Sequence, residues 1–206
     1  PRDWGRALER LERAAERGSE QARGQLALLA RLSGSADARI DADRLLRAPA
    51  AKALSDRPRL RLFEGFAAPD ECRWLIDTLR PRLAPAVVWD MDSGETLVDP
   101  YRSNKAVELP LHESDVVVAL LRARIAAATR LPEFIFELPQ VMRYQVGEEF
   151  RAHNDFIDPD KPGFRAEIAR RGQRMGTFLI FLNEDFTGGE TEFPKAGISL
   201  RARTGD

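Results

Sequence analysis

The apolar periodicity of this chain changes along its length, and that change limits the folds open to it. Through most of the first 130 residues hydrophobic positions recur at three- and four-residue spacing. From Glu137 onward they fall in short alternating runs split by Gly147, Gly188-Gly189 and Gly197. The first pattern belongs to amphipathic helices, the second to short strands joined by turns. Helices followed by a run of strands predict an α+β domain built on a β-sandwich or barrel.

Residues 1–47 read as helices. Trp4, Leu8, Leu11 and Ala15 lie on one face with Asp3 as N-cap, Gly18-Ser19 breaks the pattern, and Leu26 and Leu29 carry a second helix to Gly34. A third short helix is expected at Asp41–Arg47. The first pair is similar to a Sel1-type or tetratricopeptide-type hairpin; a packing extension of the main domain explains it equally well. Residues 48–58 read as a connector and 59–206 as the main domain. There, Leu60 to Phe66 suggests a strand, and Pro69 opens a helix running to Leu79. After a loop-rich stretch, Ser114 is expected to cap a helix over 115–130 with Val117, Leu120, Leu121 and Ile125 buried. Strands are expected at 138–144, 149–156, 176–182, 190–194 and 197–203.

Composition excludes several classes. Net charge is −1, so no strong field favours nucleic acid or an anionic membrane. No apolar run approaches the ~20 residues of a membrane span. Cys72 is the single cysteine, so the chain has no internal disulfide framework. That suits a reducing compartment, read here as the cytoplasm, with Cys72 as a small core residue.

The chemistry concentrates in Tyr144-Gln145-Val146-Gly147-Glu148-Glu149-Phe150-Arg151-Ala152-His153-Asn154-Asp155. In an extended segment, side chains at i and i+2 share a face, so His153 and Asp155 can reach one small object. The expected object is a metal ion. One carboxylate with two histidines, leaving positions open, is the arrangement of non-haem Fe(II) oxygenases. Two of those three ligands are visible here.

Three motifs occur in order: Tyr144-x-x-Gly147-x-x-Phe150-x-x-His153-x-Asp155, then Gly172-Gln173-Arg174-x-x-Thr177-x-Leu179, then Gly188-Gly189-Glu190-Thr191-x-Phe193-Pro194. Together they resemble the prolyl 4-hydroxylase branch of the Fe(II)/2-oxoglutarate dioxygenases over roughly residues 60 to 206. The resemblance implies a double-stranded β-helix (jelly-roll) core and hydroxylation of a peptidyl residue, proline above all, with succinate and CO2 as coproducts. It implies Fe(II) and 2-oxoglutarate as cofactors, ascorbate as an accessory, and a protein or peptide as substrate; oligomeric state stays open. His153 and Asp155 would ligate iron. Tyr144 and Thr191 would contact 2-oxoglutarate, the latter at its distal carboxylate, and Thr177 would line the same cavity or serve only β-propensity. Arg174 and Phe150 match positions near the substrate, although Arg174 also suits a surface ion pair and Phe150 stands where the family often has tyrosine. Residues 157–172 read as a lid or a solvated connection.

The family's second histidine and its basic partner for 2-oxoglutarate would follow a turn like Gly205-Asp206, where this chain stops. His112, ahead of a helix, and Lys195, in a turn, match neither. The expectation is a piece of a longer enzyme. The alternative is a degenerate oxygenase fold that serves as a peptide-binding module without turnover.

Overall fold

The computed structural model describes residues 3–34, 40–89, 96–98, 102–160 and 164–206. It is a mixed helix-and-sheet structure. Helices α1 (Trp4–Glu16) and α2 (Glu20–Ser33) form the expected hairpin, with the Asp3 and Ser19 side chains accepting from the Arg6 and Ala22 amides. Helix α3 (Ala42–Leu45) is a single turn. Within the stretch read as a connector lies strand β1 (Lys52–Asp56), paired antiparallel with β2 (Arg59–Leu62). Helix α4 (Pro69–Leu79) begins at its proline. Strands β3 (Ala84–Pro85), β4 (Val87–Trp89), β5 (Thr96–Val98) and β6 (Lys105–Glu108) precede helix α5 (Val116–Thr129). Then come β7 (Gln140–Arg143), α6 (Phe164–Arg171), β8 (Thr191–Phe193) and β9 (Ile198–Leu200).

The strands make small antiparallel sheets: β3-β6-β7, and the pairs β1-β2, β4-β5 and β8-β9. Two of the expected strands differ. Residues 149–156 contribute one bridge, Phe150 to Arg102, and 176–182 form no assigned strand. The alternation in 176–182 is nonetheless real: Phe178, Ile180 and Leu182 pack on the core while Thr177 and Leu179 are exposed. Alternation decides which side a residue faces, whereas a ladder needs a neighbouring strand. Among the described residues the only backbone partners of this segment are Gly205 and Asp206, at Phe181. The Asp115 carboxylate, not Ser114, caps α5 by accepting from the Val118 amide at 3.0 Å. Its other oxygen accepts from the Trp74 indole at 2.7 Å, and the Ser114 hydroxyl turns back to the Pro110 carbonyl. Of the 157–172 stretch, 161–163 lie outside the described residues; the rest includes α6.

Helix α5 runs between two apolar clusters. Val118 and Leu121 join Phe66, Cys72, Leu75, Leu79 and Leu109, packed against Val107, Val141 and the 178–182 segment. On its other side Leu120 meets Leu29 and Leu45, with Trp4, Leu8 and Leu11 around them. Each fully buried leucine contributes about 1.5–3 kcal/mol. Burial and the neighbouring Glu71 push the Cys72 thiol up to about 11, which leaves it unreactive at neutral pH.

The helix also buries Arg124, 6% exposed, against Glu71, 2% exposed. All five guanidinium N–H donors are used: two reach the Glu71 carboxylate at 3.0 Å, two the Leu45 carbonyl, and one the Phe66 carbonyl. Glu71 accepts from the Ala68 amide as well. Beside this knot, Gly205 donates to the Phe181 carbonyl and its own carbonyl accepts from Ala67. Its φ is +86°, and a Cβ there would lie 2.0 Å from the Ala67 oxygen, so only glycine fits. The buried Asp206 carboxylate accepts from the Gly65 and Arg203 amides and the Arg203 guanidinium. Burial alone would raise its pKa; these hydrogen bonds outweigh that and hold it below the usual carboxylate range.

Two outcomes follow from these contacts. Glu71→Ala strands the Arg124 charge in the core and is expected to cost about 3–5 kcal/mol in urea unfolding; a loss under about 1 kcal/mol would contradict the assignment. A depressed folded pKa stabilises above the unfolded value of about 3.9 and ceases to do so as pH falls through the folded value. Asp206→Asn should therefore be less stable than wild type above about pH 4, the gap narrowing below it; a gap independent of pH between 2 and 6 would contradict this.

Candidate metal centre

Strand β7 delivers the chain to Tyr144, and a tight turn follows. Glu148 N–H donates to the Gln145 carbonyl, the Glu148 carboxylate accepts from the Gln145 amide, and Gly147 takes φ +84°. Past the turn, Glu149 and Phe150 run alongside Arg102 and Ser103. The Ser103 amide donates to the Glu149 carbonyl and the Glu149 amide to the Ser103 hydroxyl, each at 3.1 Å. On the far side, the Gln173 side chain imitates a strand neighbour. Its amide accepts from Ile157 N–H at 2.7 Å and donates to Ile157 C=O at 2.8 Å. These two attachments fix the segment between them, which carries His153 and Asp155.

His153 Nε2 lies 3.1 Å from Asp155 Oδ1, the side chains being 39% and 50% exposed. His153 Nδ1 lies 2.7 Å from the Arg151 carbonyl, which can only accept, so Nδ1 carries the proton. With that proton on Nδ1, Nε2 faces the carboxylate oxygen at a distance that either a proton or a metal cation between the two can bridge. The second carboxylate oxygen of Asp155 accepts from the Thr177 hydroxyl. Arg174 donates to both oxygens of Glu137, at 2.7 and 2.9 Å, and reaches toward the Asp155 carbonyl at 3.5 Å. The Glu137 hydrogen bond outweighs burial and raises the Arg174 pKa, so the guanidinium stays charged. Phe150 stacks on His153 with centroids 3.7 Å apart, and Arg102 lies 5.5 Å over the Phe150 ring.

The structure thus gathers His153, Asp155, Thr177, Phe150 and Arg174. Tyr144 stands at the margin, 42% exposed, its hydroxyl 3.9 Å from the Met142 sulfur. Burial raises its pKa despite the opposing charge of Arg102, so it remains a hydrogen-bond donor. Thr191 pairs with Leu200 in the β8-β9 hairpin, and among the described residues no hydrogen bond joins it to His153, Asp155 or Tyr144. His112 is exposed beside Glu113, and Lys195 lies in an exposed 3-10 turn. Arg102, Glu137 and Gln173 were not singled out for roles by sequence reasoning. Gln173 sits in a recognised motif, but nothing local announces the pairing of Arg102 with Phe150 or of Glu137 with Arg174.

The donor set suits Fe(II). Two donors each about 2.1 Å from a cation and at right angles stand about 3 Å apart, close to the separation of Nε2 and Oδ1. Among the described residues no group of three or more His, Cys, Asp or Glu side chains converges on one point.

No family model matches the chain. Curated relatives do. Prolyl 4-hydroxylase 1 of Arabidopsis thaliana is 32% identical over 141 residues, covering 68% of this chain and 48% of the relative. Probable prolyl 4-hydroxylase 4 of the same plant is 33% identical over 150 residues, covering 73% and 48%. Prolyl 4-hydroxylase subunit alpha-1 of Rattus norvegicus is 33% identical over 150 residues, covering 73% and 28%. The chain therefore spans about half the length, or less, of these curated relatives. It is homologous to them over more than two thirds of its own residues, and that stretch belongs to a prolyl 4-hydroxylase-like family.

Proposed function

We propose that this chain carries the metal-holding part of an Fe(II)/2-oxoglutarate-dependent dioxygenase that hydroxylates peptidyl proline. The observation that carries the reading is the approach of His153 Nε2 to Asp155 Oδ1 with the Nδ1 proton committed elsewhere. The kinship with prolyl 4-hydroxylases supports it. Bound there, iron and 2-oxoglutarate would supply the oxidant for a C–H bond, with succinate and CO2 as coproducts.

The chain's own groups have separable tasks. The Arg151 carbonyl sets the His153 tautomer, and the Thr177 hydroxyl orients the Asp155 carboxylate, leaving Oδ1 for the cation. Tyr144, kept protonated, is suited to donate to 2-oxoglutarate, and Thr191 to meet its distal carboxylate. On this reading Arg174 and Phe150 would stand nearest the peptide substrate. The jelly-roll core is part of the proposal, as are the division into a helical hairpin over 1–47 and a dioxygenase domain over 59–206, an accessory need for ascorbate, and a cytoplasmic setting. No helix of the described residues is long and apolar enough to cross a membrane.

The test is turnover. The full-length protein, supplied with Fe(II), 2-oxoglutarate and a proline-rich peptide, should release succinate in step with hydroxyproline. His153→Ala should lower that release at least 1,000-fold, and chelation of iron should abolish it. No succinate from a folded full-length protein would point instead to a peptide-binding module; an undiminished rate in His153→Ala would overturn the ligand assignment.

A further inference from the structure

The His153 side chain is 39% exposed, yet a ligand must hold its ring within a narrow range of orientations. The hydrogen bond from Nδ1 to the Arg151 carbonyl restrains the ring within its own plane. It does little against tilting. We propose that Phe150 is the positioning residue that prevents tilting, with Arg102 backing it, so that a column Arg102–Phe150–His153 aims Nε2 at the metal. The proposal rests on the reading of His153 as a ligand.

The geometry of the column is that of a built element. The Phe150 and His153 rings are 19° from parallel with centroids 3.7 Å apart, which is face-to-face contact over most of the imidazole. Phe150 cannot easily move away, because its backbone forms the bridge to Arg102 and its neighbour Glu149 is fastened twice to Ser103. The Arg102 guanidinium stands 5.5 Å from the ring centroid and donates to the Val87 carbonyl at 2.9 Å. The imidazole is thus confined by a carbonyl at one edge and an aromatic face on one side, with Nε2 turned toward Asp155 Oδ1. A phenylalanine suits this place because the ring alone acts; a hydroxyl at its far edge would change nothing in the stack.

The test compares Phe150→Leu, which deletes the ring, with Phe150→Tyr, which keeps it. Cobalt(II) is titrated calorimetrically into each, and the His153 ring protons are followed by NMR without metal. The chain has two histidines, so His112→Gln assigns the signals. Stacking shifts the His153 ring protons upfield; that shift should persist in Phe150→Tyr and vanish in Phe150→Leu. Cobalt affinity should fall about 10-fold or more in Phe150→Leu and stay within about twofold in Phe150→Tyr. Wild-type affinity in Phe150→Leu, with binding lost in His153→Ala, would overturn the positioning role and leave the ligand reading intact. Undiminished binding in His153→Ala would instead remove the ligand reading on which the column depends. An unshifted His153 signal in wild type would overturn the stack itself.

Discussion

The structure hangs on a buried arginine. Arg124 sits in the middle of α5 and spends every donor of its guanidinium on α3, the loop ahead of α4, and Glu71. Moving such a charge out of water costs several kcal/mol, and only a complete set of partners offsets it. The arrangement therefore tolerates little variation: α4, α5, Leu45 and Phe66 must all be in place together. Residues 65–67 are held by the same knot, and against them rest Gly205, Asp206 and, through these, Phe181.

A second arginine on the same helix extends the argument to the site. Arg122, also buried, donates to the Glu133 and Glu137 carbonyls and lies over the Phe136 ring. That fixes the segment whose Glu137 carboxylate holds Arg174, and Arg174 reaches the backbone of Asp155. A chain of polar contacts thus runs from the core to the backbone of the residue whose carboxylate faces His153. The site itself is open, its two principal side chains roughly half exposed, so its order comes from hydrogen bonds and ring stacking instead of burial.

Much of this was legible from residue order. Helix spacing located α1, α2, α4 and α5, because apolar stripes and caps are local signals. The His-x-Asp pair was also legible, since a two-residue offset is a local relation. What failed was non-local. The segments at 149–156 and 176–182 have strand-like alternation, but ladder formation depends on a neighbour that alternation cannot name. Ser114 was the natural cap by type; Trp74, forty-one positions away from Asp115, selects the aspartate. The same limit hid the Arg102–Phe150 and Glu137–Arg174 partnerships. Resemblance to a family pointed to the residues proposed for the site, while their mutual orientation had to come from contacts between segments distant in sequence.

The central claim is that one imidazole and one carboxylate, preset by their neighbours, hold an Fe(II) ion to which 2-oxoglutarate can add. Its most direct measurement is optical. Under anaerobic conditions Fe(II) is added to the full-length protein, 2-oxoglutarate follows, and the visible charge-transfer absorption of the iron–oxoacid pair is recorded. The account predicts a saturable band in wild type and its loss in Asp155→Ala. An equal band in Asp155→Ala, or none in the folded wild-type protein, would contradict it.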